Sequence, residues 1–523
     1  MAGTERETAA AGDPGRGAAP APGFDRVELA LALLAFALGG LAFAGLGRPS
    51  LWLDEGLTWQ DAVSPGGNYN RLGYALVRWT VEALGGLPTE SHLRFTPALA
   101  GWLAVVAVAW AFRPLVGGRR AAAAALVVAV SPWHVYWAQN ARFYSLVELC
   151  TVLGAGLALR GLALTQARGL ALLRLGGALA LFALGALFHL QALLALASLG
   201  CALLAVRPGL RAAETPDSAG AAGATVPDPA RRERQNRLAV RLGVAAAVLL
   251  AVVARPALEV FERYVFAKGG GGGLSGAAHA LRAIGFTLGP GLGAAFLCGA
   301  AVAWRAPRRA GRWAALVPCL GVAAVLALGF VTTTTAQYAL WCLPWFAAVA
   351  VWPLAPGAWA GTAARACGYL LVVAGPLAAS TGLQLGVRHG DRPRWREALA
   401  LVEARREPGD LVVTLPGTLG EHYAALGTFA AGAPPEVRER LAPTRVPDRA
   451  AGVDTFHPRP HERPARDGRT VWIVVRPDFL LSWRSDAERA RFQAFLRDGC
   501  RLEGRFPVRI DARDLDLEVW RTL

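Results

Sequence analysis

Two successive acids, Asp54 and Glu55, and the arginine of Gln139-Asn140-Ala141-Arg142-Phe143-Tyr144 are the groups in this chain best suited to chemistry. A carboxylate can take the proton from an attacking hydroxyl. A guanidinium can hold the oxygens of a departing phosphate in a two-pronged contact. Where the leaving phosphate is already a stable anion, no general acid is needed, and this small set suffices. Asp54 fits the base with Glu55 as its neighbour; Arg142 fits the clamp, with Gln139 and Tyr144 beside it. His189, in Phe188-His189-Leu190-Gln191, is a further binding candidate, although a single histidine at the end of an apolar run is also a common structural residue. No two histidines within the apolar segments lie at metal-ligand spacing, so a zinc enzyme is not indicated.

These groups must be positioned by membrane spans. Hydrophobic residues make up 54% of the 523, and charged residues only 18%, against roughly 25% in soluble domains. The formal charge of +16 comes from arginines clustered between apolar runs. That is the positive-inside pattern, so the charge reports topology and not a nucleic-acid partner. Six of the seven cysteines (Cys150, Cys201, Cys298, Cys319, Cys342 and Cys367) lie in or beside apolar segments, with Cys500 in the polar C-terminal part. No disulfide framework is encoded.

Residues 1–23 are Ala/Gly/Pro-rich and read as a disordered cytoplasmic tail. An N-terminal transmembrane module follows over 24–206. Its first apolar run, 27–46, is long enough to span as an uncleaved anchor. Arg6, Arg16 and Arg26 hold its start in the cytoplasm, which puts Asp54 and Glu55 outside. Trp52 and Trp59 suit a membrane–water boundary. From position alone, the acid pair is equally the start of a solvated loop. The external loop 47–91 contains a helical pattern over 71–84, an amphipathic helix on the bilayer surface. Span three, 121–138, ends in Ser131-Pro132 and an aromatic belt, where the proline allows a kink. Spans five and six pair around His189.

A basic cytoplasmic linker, 207–238, separates this module from further transmembrane helices over 239–387. An external loop there holds Arg263, Lys268 and the run Gly269–Gly273, either a slack connector or a loop that orders on substrate. The pattern gives about 11 helices, starting inside and ending outside. From residue 388 to 523 the composition becomes that of a soluble α/β domain. A helix is expected over 395–405, strands over 411–415, 471–475, 502–508 and 515–521, and a helix starting at the capping box Ser485-Asp486-Ala487-Glu488. Residues 428–467 read as loop.

The motifs together resemble the GT-C transferases that use polyprenyl-phosphate sugars, a group including protein O-mannosyltransferases and the aminoarabinose transferases of lipid A. Leu51-Trp52-Leu53-Asp54-Glu55 resembles the acidic motif of their first external loop. Ser131-Pro132 through Tyr144 resembles their turn between spans three and four, and Phe188-His189 their histidine between spans five and six. Gln337-Tyr338-Ala339-Leu340 with Pro344 is similar to a late Arg-Tyr segment, and Arg392-Pro393-Arg394-Trp395-Arg396 to the start of the external domain.

The resemblance implies an all-α membrane bundle with a soluble α/β domain, working as a glycosyltransferase with Asp54 as base. The donor would be a polyprenyl-phosphate sugar and the acceptor a protein, lipid or glycan. It also implies a multi-pass location in the plasma (inner) membrane, among membrane lipids. Two positions depart from it. Asn140 stands where many relatives carry an acid, which leaves a divalent cation an open question, with Glu148 the nearest other acid. Gln337 stands where relatives carry arginine, so Arg142, Arg263 and Lys268 are the phosphate candidates. A transporter or lipid flippase is the alternative. It favours mid-membrane acids and internal repeats, whereas here the acids sit at a rim and no repeat is evident. A membrane-anchored scaffold needs far fewer spans.

Overall fold

Asp25 opens the first helix, α1 (Arg26–Gly39), by accepting hydrogen bonds at Oδ1 from the N–H groups of Val27 and Glu28, both at 2.9 Å. A 3₁₀ turn, Gly40–Phe43, continues it. The computed structural model describes residues 25–63, 71–86, 88–163, 168–206, 273–305, 309–332, 334–354, 392–407, 410–415, 470–477, 486–510, 513–514 and 516–523. Single helical positions are also described between 233 and 248 and between 374 and 378. Arg263, Lys268, the glycine run from Gly269 to Gly272, Ser485, the tail 1–23 and segment 428–467 lie outside these residues. So does nearly all of the linker and of the spans expected near 238–253 and 366–385.

Beyond α1 come two short helices, α2 (Leu53–Val63) and α3 (Arg71–Ala83), then α4 (Glu90–Val116). α3 buries Gly73, Tyr74, Val77 and Val81 on one face and exposes Trp79, the amphipathic pattern expected. The third span is broken into α5 (Gly118–Val130) and α6 (Pro132–Ala138), bent by 63° at Ser131. Pro132 cannot donate the backbone bond that a continuous helix would need there. α7 (Tyr144–Ala163) lies between α4 and α8 (Arg168–Phe188), and α9 (Gln191–Val206) follows the turn at His189.

α10 (Leu274–Arg305) and α11 (Arg309–Val331) pack side by side. The tenth expected span differs from an ordinary membrane helix. It is a 3₁₀ turn, Ala336–Cys342, a short α12 (Leu343–Ala350) and another 3₁₀ turn, Trp352–Leu354. Pro344 and Pro353 restrict regular helix at both ends, and the segment is buried by protein, where backbone irregularity is tolerated. Gly299 of α10 lets the backbone of Val349 approach closely; a Cβ there would strike its carbonyl.

Seven described helices are long and apolar enough to cross a membrane, or eight if the bent pair counts as one span. The chain is therefore a multi-pass membrane protein. The 11 helices expected include two spans outside the described residues. At one end of the bundle, Glu28 pairs with Arg113 at 3.1 Å and Asp25 with Arg119 at 2.8 Å, pinning the start of α1 to the α4–α5 corner.

The opposite end carries α2, α3 and the C-terminal domain. That domain starts with α13 (Trp395–Arg405), followed by β1 (Leu411–Leu415), β2 (Val471–Val475), α14 (Asp486–Gly499), β3 (Cys500–Phe506) and a hairpin of β4 (Arg509–Ile510) and β5 (Arg513–Asp514). β6 (Leu517–Thr522) completes a four-stranded sheet in the order β1-β2-β6-β3, with β1 parallel to β2 and the other pairs antiparallel. β2 is apolar throughout because both its faces are covered. Val471, Ile473 and Val475 pack toward Leu496 of α14. Trp472 and Val474 join Trp395 and Leu399 in a cluster that runs on into Leu51, Trp59 and Phe143. One apolar core thus cements the domain to the membrane module.

Candidate active site

The site is built on the first turn of α2. Glu55 is its third residue, and its Oε2 reaches back 3.2 Å to accept from the N–H of Trp52, half of a capping box. The rest of the Glu55 carboxylate is taken by partners from distant segments. Arg94 of α4 grips it with both prongs, Nε to Oε1 and Nη2 to Oε2, each at 2.7 Å. The N–H of Ala141 donates to Oε1 at 2.7 Å, and Arg392 Nε lies 3.7 Å from Oε2. Glu55 is fully buried and Arg94 is 1% exposed. Burial pushes the Glu55 carboxyl up, but the charges of Arg94 and Arg392 with the Arg94 and Ala141 hydrogen bonds outweigh it, so its pKa lies below the ordinary value. Glu55 stays ionised.

Arg94 has further work. Its Nη1 donates to the carbonyls of Leu46 and Pro49, both at 2.7 Å, and its Nη2 to that of Ser50 at 3.0 Å. One buried guanidinium therefore shapes the whole chain entry into α2. The sequence carries a signal for it: an arginine three residues into an apolar span demands a partner.

Asp54, one residue before Glu55, is half-buried. Its backbone carbonyl accepts from Arg142 Nη1 at 3.3 Å. The same nitrogen donates to the Tyr74 hydroxyl at 2.7 Å, and the guanidinium lies over the rings of Tyr74 and Phe143, 5.6 and 5.4 Å from their centroids. Gly73 makes room for this stack, since a Cβ there would sit 2.6 Å from the Phe143 ring. Burial raises the Tyr74 pKa, with Arg142 opposing and Asp54 and Asp61 adding to the rise, so the phenol stays protonated.

Tyr144 packs edge-on to Trp137, with ring centroids 4.8 Å apart, and lies 5.2 Å from His189 and 6.4 Å from Tyr338. His189 and Tyr338 are 5.6 Å apart, and Trp52 lies 6.0 Å from Trp137. The N–H of Gln191 donates to His189 Nδ1 at 3.3 Å, which leaves Nε2 as the nitrogen carrying the proton in the neutral ring. Asp54, Arg142, Tyr144 and His189, scattered over 136 positions of sequence, are thus gathered with Tyr74 and Tyr338 at one end of the bundle.

Gln139 is turned elsewhere. Its Nε2 donates to the carbonyls of Leu41 at 2.9 Å and Ala44 at 2.7 Å, tying the turn to the end of α1. Asn140 Oδ1 accepts from Trp52 Nε1 at 3.3 Å. Glu148 points away from Asn140 into a buried contact with His134 Nδ1 at 2.9 Å. A divalent cation needs converging oxygen donors. Glu55 is occupied by two arginines, Glu148 by His134, and Asp61 by Arg78 at 3.3 Å. Among the described residues no three acid, histidine or cysteine groups converge, so this donor set does not fit a cation.

No family model matches the chain, and no curated protein matches it. Solved structures do. ArnT from Cupriavidus metallidurans bound to undecaprenyl phosphate is 15% identical with a TM-score of 0.51, covering 95% of this chain and 97% of that one. Its apo state is 14% identical with a TM-score of 0.52 over the same shares. The archaeal oligosaccharyltransferase AglB from Archaeoglobus fulgidus, in complex with an inhibitory peptide and a dolichol-phosphate, is 12% identical with a TM-score of 0.51, covering 91% of this chain and 73% of that one. Both are members of the GT-C superfamily. At such identities the likeness is one of fold, and this chain shares the fold of ArnT and AglB.

Proposed function

We propose that this protein is an integral-membrane glycosyltransferase that moves a sugar from a polyprenyl-phosphate donor to an acceptor hydroxyl, with Asp54 as the base. The observation that carries the reading is the division of labour in the acid pair. Glu55 is buried and consumed by Arg94 and Arg392, while Asp54 is only half-buried and its backbone carbonyl accepts from Arg142. ArnT, which shares the fold along almost the whole chain, holds undecaprenyl phosphate.

In this reading the acceptor oxygen attacks the anomeric carbon as Asp54 takes its proton. The bond from that carbon to the donor phosphate oxygen breaks, and its electron pair leaves with the phosphate. Attack from the face opposite the phosphate inverts the anomeric centre. Arg142, the hydroxyls of Tyr144 and Tyr338 and the His189 Nε2–H bind the phosphate as its charge builds. Arg263 and Lys268 are further candidates, on the external loop expected within 239–387. The donor set gives no step to a metal ion.

The arginines at the other end of the bundle, Arg113, Arg119, Arg120, Arg160, Arg305 and Arg312, support a cytoplasmic side there. The Asp54 end and the C-terminal domain would then face outward from the plasma membrane, with the N-terminus inside. The acceptor is a protein, lipid or glycan presented there.

The test is a panel of labelled undecaprenyl-phosphate sugars offered to the purified protein in detergent, with and without candidate acceptors. Release of undecaprenyl phosphate from one donor, lost in Asp54→Asn, is the expected result. Failure of every donor to bind would overturn the reading in favour of transport.

A further inference from the structure

Among the described residues, the C-terminal domain reaches the acid pair through one side chain. Arg392, three residues before α13, is 3% exposed, and its Nε approaches Glu55 Oε2 at 3.7 Å. Its guanidinium lies over the Tyr136 ring at 4.1 Å and the Trp52 ring at 5.9 Å, and its Nη2 donates to the Tyr136 carbonyl at 3.5 Å. A buried cation of this kind is held by aromatic faces and an anion together. Its three partners belong to α6, to the residue capping α2, and to α2 itself.

Glu55 in turn joins the two reactive segments. It follows Asp54 directly, and it accepts from the N–H of Ala141, the residue before Arg142. The Glu55 carboxylate thus joins the Thr58 and Arg142 hydrogen bonds in setting the spacing between Asp54 and Arg142, and Arg392 is one of the two cations that hold it. Arg396, four residues on, docks the same domain by different means. Its side chain meets Glu90 at 2.6 Å and the Arg48 carbonyl at 3.2 Å, and its N–H donates to Ser50 Oγ at 3.2 Å. None of those partners is Glu55.

We propose that Arg392 is a positioning residue for the transfer, through which the C-terminal domain becomes a working part of the catalytic site and not only a lid above it. Arg392 acts through Glu55 to set Asp54 against Arg142. The proposal rests on the glycosyltransferase reading for its activity readout, but its structural readout stands without it.

Arg392→Lys and Arg396→Lys make the same conservative change in neighbouring arginines, only one of which faces Glu55. A lysine at 392 keeps a charge but loses the planar stack on Tyr136 and the fork. The purified full-length variants would be compared in turnover, in undecaprenyl phosphate binding, and in backbone amide exchange of the 139–144 turn. Arg392→Lys is expected to lower kcat by about tenfold or more, leave undecaprenyl phosphate binding within about twofold, and speed exchange at Ala141. Arg396→Lys is expected to leave all three within about twofold of wild type.

Arg392→Met, which removes the charge, should exceed Arg392→Lys in both turnover loss and exchange. Equal effects in the two lysine variants would reduce Arg392 to a docking contact and overturn the proposal. Wild-type exchange and turnover in Arg392→Met would overturn it as well. If wild type transfers no sugar, the functional reading fails, and the exchange comparison alone still decides whether Arg392 orders the turn.

Discussion

The Glu55 carboxylate accepts a hydrogen bond from the Ala141 backbone at 2.7 Å, across 86 positions of sequence. Because Asp54 precedes one partner and Arg142 follows the other, this bond helps to set the proposed base against the proposed clamp, beside the bonds from Thr58 Oγ1 to the Ala141 carbonyl at 2.6 Å and from Arg142 Nη1 to the Asp54 carbonyl at 3.3 Å. The two acids of the pair therefore do different things. Asp54 is left available, and Glu55 fixes the frame in which it works.

That difference predicts opposite phenotypes for two conservative changes. Asp54→Asn removes a half-exposed charge, so the unfolding midpoint in detergent should stay close to wild type while transfer falls by about 10²–10⁴-fold. Glu55→Gln leaves Arg94 and Arg392 buried against a neutral amide, so both midpoint and transfer should fall. A stable but inactive Glu55→Gln would place that acid in the chemistry instead.

Arg94 makes the strongest stability prediction. Replacing it with methionine removes the bidentate partner of a fully buried carboxylate and the donors to three carbonyls. Breaking one side of such a pair costs about 3–5 kcal/mol. A large drop in unfolding midpoint is expected, and an unchanged one would mean that the 46–50 segment finds other donors.

Much of this frame was legible from the residues, and some was not. The acid pair, the 139–144 turn and His189 were visible because each interrupts an apolar run, and the fold gathers them as expected. The kink at Ser131 followed from Pro132. The inequality of Asp54 and Glu55 was hidden, because it depends on Arg94 and Arg392, which sequence spacing does not bring near. Gln139 looked like a ligand by its place in the turn, yet its amide satisfies the carbonyls that end α1. The tenth span was apolar enough to read as a regular helix, and only packing inside the bundle reveals its two 3₁₀ turns.

Acid should act on this frame through Glu55. Its pKa is lowered in the folded state, so its contribution to stability is complete at pH values above the ordinary glutamate range. As the pH drops below that range the contribution shrinks, and it is gone once the pH has passed through the lowered value. The unfolding midpoint of wild type should therefore fall in acid more steeply than that of Glu55→Gln, which has no such proton to take up. Parallel acid profiles for the two would show that other carboxylates dominate.

The last prediction concerns the cation that an acid at position 140 would help to hold. Here that position is Asn140, whose oxygen accepts from Trp52 and whose amide nitrogen has no hydrogen-bond partner within the described residues. A buried, unpartnered amide N–H faces an anion more readily than a cation, and the nearby Arg392 adds a positive charge to the same surroundings of Trp52. Transfer should therefore persist in excess EDTA, with neither kcat nor donor KM changed. Asn140→Asp gives the complementary measurement. It places a carboxylate against Trp52 without a converging second acid, so added Mg²⁺ or Mn²⁺ should not raise its turnover. Loss of wild-type activity in EDTA, restored by one divalent ion, would require ligands from outside the described residues and would move the phosphate clamp from Arg142 to a metal.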